Sequence, residues 1–150
     1  MRLHVVACVA VAVLGFPAHA QDPAAPAAPA AGGAAALVAG ADPVKGQAAA
    51  KKCVACHTFE EAGSPKVGPN LWGIVGRPVA SVADYKYSEA MIAHSQGGSK
   101  IWTIAELDPY LLNPKQHVPG TKMAFPGIKK DDERANVIAY LATLGGAPKP

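Results

Sequence analysis

Cysteine, charge and aromatic mass are all scarce in this chain of 150 residues. Three cysteines are too few for a disulfide-stapled scaffold. Charged residues make up only 17%, the net charge is +3, and no block of Lys and Arg exceeds two residues, which excludes a nucleic-acid binder. No apolar run reaches the roughly 20 residues of a spanning helix, which excludes a multipass membrane protein. Aromatics reach only 6%, and alanine supplies much of the 50% hydrophobic content, so the true core is smaller than that figure suggests. Neither a strand alternation nor an internal repeat is present. The length leaves room for one domain with appendages and not for two full cores.

The start of the chain reads as a leader. Arg2 supplies a positive charge, Val5 to Phe16 are largely apolar, and Ala18 and Ala20 place small residues before a cut after Ala20. Residues 1–20 are therefore expected to be a signal peptide, with an uncleaved anchor helix as the alternative. Cleavage removes Cys8 and leaves Cys53 and Cys56 as the cysteines of the mature chain. Residues 21–42 read as a disordered linker: 17 of these 22 are Ala, Pro or Gly. Such a stretch carries too little apolar bulk to offset its ordering entropy.

Residues 43–147 are the expected folded domain. Asp42-Pro43 predicts a helix start, a capping carboxylate followed by proline at the first helical position. That helix is expected to run through Gly46–Lys52 into Cys53–Cys56. Residues 58–86 are rich in Gly and Pro and lack a sustained period, so they read as loop, as does the region 88–101. Thr103-x-x-Glu106 has the pattern of a capping box before a second helix, with Pro109 placed to bend it and Asn113-Pro114 to end it. A last helix is expected from Asp131-Asp132-Glu133 to Gly145-Gly146, with Val137, Tyr140, Leu141 and Leu144 on one face. The fold class is all-α: three or more short helices joined by long loops. Loops that long in about 100 residues need something to hold them, and a large apolar prosthetic group at the centre would do so.

Cys53-Val54-Ala55-Cys56-His57 supplies the group. Two thiols three positions apart on a helical turn share a side, and the adjacent histidine can reach a metal there. This is the attachment signature of haem c, with the thiols adding to the vinyl groups and His57 as the proximal iron ligand. A zinc site drawing on Cys53, Cys56 and two of His57, His94 and His117 fits no finger spacing, and a redox cysteine pair would want a βαβ context that is absent. The sixth iron position decides the chemistry: a methionine there suits electron transfer, whereas an open iron suits peroxide or gas binding. Of Met91 and Met123, the second follows the rigid Pro119-Gly120-Thr121-Lys122 and is the expected ligand; Met91 is read as packing.

From about Val44 to Leu144 the chain resembles class I cytochromes c, the mitochondrial cytochrome c and bacterial cytochrome c2 type. The resemblance rests on Lys52 to Thr58, Lys66-Val67-Gly68-Pro69-Asn70-Leu71, Gly76-Arg77, Tyr87, Trp102, Asn113-Pro114-Lys115, Pro119 to Met123 and Val137 to Leu141. It implies a cytochrome c fold wrapped around one covalent haem. It further implies that Pro69 offers its carbonyl to His57, that Arg77, Tyr87 and Trp102 bind a haem propionate, and that Tyr110 lies near the Met123 sulfur. Thr121 and Asn113 would brace that loop, and Gly46 would let the first and last helices cross with Tyr140 at the crossing. Three features depart from the family, the first being a Tyr87–Trp102 interval longer than in mitochondrial members and like that of the longer bacterial type. Ala48-Ala49-Ala50 stand where an aromatic usually packs against the last helix, so the crossing is expected to be looser or filled from the Tyr140 side. His117 replaces a common aromatic. The implied function is a periplasmic one-electron carrier, not an enzyme. Lys52, Lys66, Lys115, Lys122, Lys129 and Lys130 would steer acidic redox partners: a bc1-type complex, a terminal oxidase, a reaction centre or a periplasmic dehydrogenase. Residues 43–150 carry 13 basic and nine acidic side chains, so such steering is modest. The alternatives are a haem module tethered by a retained leader, or a haem peroxidase or gas-binding protein if Met123 is not a ligand.

Overall fold

The computed structural model describes residues 36–145. The expected leader, most of the expected linker and the last two residues of the expected domain lie outside that range. The helices are α1 (Pro43–Ala49), α2 (Glu89–His94), α3 (Ile104–Leu112), α4 (Pro114–His117) and α5 (Asp131–Thr143), with 3₁₀ turns at Ala50–Cys53 and Gln96–Gly98. No strand occurs among the described residues, only an isolated antiparallel bridge between Pro78 and Ile101.

The start of α1 follows from Asp42, whose carboxylate accepts from the Val44 and Lys45 amides at 2.9 and 3.2 Å, while Pro43 opens the first turn. The α-helix does not continue into the cysteines. It ends at Ala49, tightens to 3₁₀ over Ala50–Cys53, and passes into turns over Val54–Cys56. This tighter winding places Cys53 at a helix end rather than mid-helix, and the His57 amide closes back on the Cys53 carbonyl at 2.9 Å.

Helices α1 and α5 cross in contact at Gly46. A Cβ there would lie 1.9 Å from the Asn136 carbonyl oxygen and 2.8 Å from Tyr140 Cβ, so only glycine permits this approach. The Asn136 side chain seals the end of the crossing by accepting from the Asp42 amide at 2.6 Å. The small alanines of α1 do not leave the crossing loose: Phe59, from the loop after His57, packs its ring against Tyr140 at 5.9 Å. Helix α5 buries Val137, Ile138 and Leu141, and Leu144 is buried just past its end. It is tied to α3 by the buried Arg134, which donates to Asp108 at 2.7 Å, to Asp131 at 2.8 Å and to the Ile128 carbonyl at 3.0 Å.

The Thr103–Glu106 pattern forms half of a capping box. Thr103 Oγ1 accepts from the Glu106 amide at 3.0 Å, but the Glu106 carboxylate turns away to His94, Lys100 and His117. Helix α3 runs through Pro109 to Leu112 and ends at Asn113-Pro114, as expected. Asn113 caps α4 by accepting from the Gln116 amide at 3.4 Å, so it organises that helix rather than bracing Met123 directly. The region 88–101, expected as loop, contains α2; Ser88 Oγ accepts from the Met91 amide at 3.2 Å as its cap. The helix is too short, at six residues, to show a period in the sequence. Between residues 58 and 86 the chain stays in turns and loops, as expected.

Gly46→Ala is expected to destabilise the holoprotein by about 2–3 kcal/mol, the usual cost of forcing extra volume into a packed contact. Guanidinium unfolding followed by far-UV circular dichroism measures it, and a loss within error of zero would mean the helices can move apart freely.

Candidate haem site

All ten residues that the sequence assigns to the site line one largely apolar cavity of about 290 Å³: Cys53, Cys56, His57, Pro69, Arg77, Tyr87, Trp102, Tyr110, Thr121 and Met123. The 3₁₀ turn and the turn after it bring both cysteines and His57 to one wall. Cys53 and Cys56 are free thiols rather than a disulfide. Burial pushes the Cys53 thiol up; the Lys52 ammonium pulls it part of the way back, and Cys56 adds to the rise.

His57 is held with unusual definition. Its Nδ1 lies 2.7 Å from the Pro69 carbonyl oxygen, which can only accept, so Nδ1 carries the proton and Nε2 keeps its lone pair for a metal. Burial lowers the pKa of the imidazole, while the Pro69 bond raises it by a lesser amount, so the ring is neutral near pH 7. Gly68 packs flat against the ring: a Cβ there would fall 2.3 Å from His57 Cε1. The segment is pinned on both sides. The Gly68 amide donates to the Cys56 carbonyl at 2.8 Å, and Asn70 Nδ2 donates to Thr58 Oγ1 at 2.8 Å and to the Glu60 carbonyl at 3.0 Å.

On another wall, Tyr110 Oη donates to Met123 Sδ at 3.2 Å, and the Met123 amide donates to Thr121 Oγ1 at 3.3 Å. Burial raises the Tyr110 pKa, with a hydrogen bond to Thr121 opposing it, so the phenol stays protonated and able to donate. The donated bond uses one sulfur lone pair and leaves the other for a metal. The cavity also contains Met91, read from the sequence as packing; it is buried, and among the described residues no hydrogen bond orients its sulfur.

Arg77 donates from Nη1 to the Trp72 carbonyl at 2.9 Å and from Nη2 to the Asn70 carbonyl at 2.7 Å. Among the described residues it has no carboxylate partner, although burial lowers its pKa below the ordinary guanidinium range. A half-buried cation without a counter-ion fits a site that receives an anionic group. Backbone bonds Trp102 N–H to Arg77 O and Gly76 N–H to Trp102 O, both 2.9 Å, hold Trp102 beside it. Tyr87 Oη accepts from the Val82 amide at 3.4 Å. Tyr85, which the sequence reading missed, also lines the cavity; its hydroxyl donates to the Val67 carbonyl at 2.9 Å and its ring meets Tyr87 edge-on. No motif marked it.

His94 and His117 do not join the cysteines. They meet Glu106 outside the cavity lining, which removes the zinc reading built on Cys53 and Cys56. Of the expected docking lysines, Lys52 and Lys122 lie on the cavity lining, and Lys66 reaches the Val54 carbonyl at 3.2 Å between the cysteines. Lys52 also pairs with Glu133. Lys129 reaches the Leu112 carbonyl at 2.6 Å, while Lys115 and Lys130 are exposed away from that lining.

Two thiols, an oriented imidazole, an oriented thioether and an arginine with no carboxylate partner among the described residues, around an apolar cavity, fit haem c, and the fold and site together define a small all-α c-type haem protein. The Cytochrome c family model matches residues 43–145. A cytochrome c homolog of Bradyrhizobium diazoefficiens is 51% identical over 107 residues, which are 71% of this chain but only 56% of that relative, so the match spans little more than half of its length. Cytochrome c2 of Agrobacterium tumefaciens is 48% identical over 67% of this chain and 89% of its own. The solved structure of cytochrome cH from Methylobacterium extorquens is similar with a TM-score of 0.58 at 43% identity, over 68% of this chain and 98% of that one. The chain belongs to the cytochrome c family. The family's cofactor is haem c held through a cysteine pair, here Cys53 and Cys56, and its members carry electrons rather than act as enzymes.

Gly68→Ala is expected to tilt the His57 ring and lengthen its bond to Pro69, weakening the imidazole as a ligand. Thermal unfolding of the oxidised holoprotein, followed at the Soret band, reports this as a lowered midpoint; an unchanged midpoint would refute the close packing of Gly68 on His57.

Proposed function

We propose that the chain is an exported, periplasmic one-electron carrier in which His57 Nε2 and Met123 Sδ are the two axial ligands. One observation supports this reading above the others: an imidazole and a thioether, each already oriented by a hydrogen bond, converge on the cavity that holds both thiols. When bound, the haem supplies a reversible Fe(III)/Fe(II) couple. The protein's part would be to keep both donors in place and exclude water from the iron. Met123 would hold the iron through its sulfur, and Tyr110 would restrain that sulfur against leaving. Arg77, Tyr87 and Trp102 lie where they can receive a propionate, whose charge would otherwise be costly to bury.

The exposed members of the cavity lining, among them Lys52, Val67 and Lys122, mark the side on which a partner approaches. Exposed Val54 and Val67 add apolar surface there. An apolar patch with flanking lysines suits brief docking on acidic redox partners: a bc1-type complex, a terminal oxidase, a reaction centre or a periplasmic dehydrogenase. No helix among the described residues is long and apolar enough to cross a membrane. A mature chain beginning at Gln21 corresponds to a released carrier, and a retained leader to a tethered module.

The oxidised protein is expected to show the far-red sulfur-to-iron absorption band, and Met123→Ala to abolish it and open the reduced iron to carbon monoxide. Rapid carbon monoxide binding by the unaltered protein, with no such band, would overturn the carrier reading in favour of an open haem. Electron transfer to an acidic partner is expected to slow with added salt, and Lys122→Glu to lower the association rate several-fold. A rate indifferent to both, measured by stopped-flow, would place docking on another face.

A further inference from the structure

We propose that His94, Glu106 and His117 form a second metal site, separate from the haem cavity, for one borderline divalent cation such as Zn²⁺. Each ligand comes from a different helix. His94 closes α2, Glu106 lies in the first turn of α3, and His117 ends α4. The Nε2 atoms of His94 and His117 lie 2.8 and 2.7 Å from the same oxygen, Oε1 of Glu106, and the candidate ligand atoms all fall within 4.8 Å of one another. The two rings meet edge-on with centroids 5.2 Å apart, and both aim Nε2 at the same Glu106 oxygen.

Two imidazoles and one carboxylate are a donor set for Zn²⁺ and its neighbours, with positions left for water. Side-chain exposures of 15–23% leave the cluster shielded yet reachable. Protonation also suits ligation. Burial lowers the His94 pKa, with the bond to Glu106 only partly opposing it. Burial alone would raise the Glu106 carboxyl, but the bonds from His117, Lys100 and His94 together outweigh it and hold the carboxyl below its usual range. The group is thus a carboxylate facing, in His94, an imidazole that is readily neutral. Binding requires each ring to carry its proton on Nδ1, freeing Nε2.

The cluster stands behind the haem cavity rather than in it. Trp102 and Tyr110, which line the cavity, are the neighbours of the two histidines at 6.1 Å between ring centroids. One group competes with the metal. Lys100 Nζ lies 2.8 Å from the same Glu106 oxygen and supplies a positive charge where the cation would sit. Purely hydrogen-bonded packing and a metal site therefore make opposite predictions for the removal of that ammonium.

Calorimetric titration of the oxidised holoprotein with zinc chloride at pH 7.5 tests this. The expected result is one ion per chain, with affinity lowered about tenfold or more in His94→Gln, His117→Gln and Glu106→Gln, and raised several-fold in Lys100→Met. The haem absorption spectrum verifies that each variant is folded, and Lys100→Met decides the matter if the ligand variants are not. Absence of one-to-one binding, ligand variants that bind like the unaltered protein, or weaker binding in Lys100→Met would each overturn the site. None of these outcomes depends on which residues ligate the iron.

Discussion

The bond between His57 Nδ1 and the Pro69 carbonyl organises the site more than any other contact. It joins two segments that have no regular structure to hold them: the turns after the 3₁₀ helix and the Gly68-Pro69-Asn70 stretch. A neutral hydrogen bond of this kind stabilises by only about 1 kcal/mol on its own. Its importance is directional. It sets the proton on Nδ1, aims Nε2, and, with Gly68 against the ring face, removes the rotation that would otherwise cost ligand strength.

The frame behind this wall is the crossing of α1 and α5. Glycine at position 46 lets the two backbones touch, so the 3₁₀ turn that follows α1 and the turn after it present the cysteines at a fixed height to the cavity that Val137 and Leu141 of α5 also line. A larger residue would push α1 outward and carry the thiols with it. The buried Arg134, in turn, locks α5 to α3 and to the Ile128 carbonyl, at the end of the loop that bears Met123. His57 and Met123 are thus referred to one helix: His57 through α1, Met123 through Arg134 and α3.

Much of this was legible because the chemistry is local in sequence. Cys53-x-x-Cys56-His57, Asp42-Pro43 and the acidic start of α5 each act within a few residues, so their patterns survive in one dimension. The pieces that were not legible depend on distance in space. Ser88 starts a six-residue helix with no room for a period, and Phe59 reaches the α1–α5 crossing from a loop. The half-used capping box has the same cause. Thr103 caps locally, as its spacing requires, but Glu106 is claimed by three cationic or protic groups brought by α2, α4 and the segment before α3. Tyr85 joins the cavity wall with no motif to announce it, through one bond to the Val67 carbonyl.

Tyr110 links the parts that the sequence presented separately. Its hydroxyl donates to Met123 Sδ, its ring packs at 4.8 Å on Trp102, and its far side faces His117. A donor on a thioether draws electron density from the sulfur, which weakens its donation to an oxidised iron more than to a reduced one and so favours the reduced state. A rigid neighbour is needed for that effect, because a mobile phenol would exchange the sulfur for Thr121 or water. Trp102 on one side and His117 on the other supply the rigidity, and His117 is fixed in turn by Glu106. His117 therefore packs as a flat ring against Tyr110, while adding a polar nitrogen on the side away from the haem cavity.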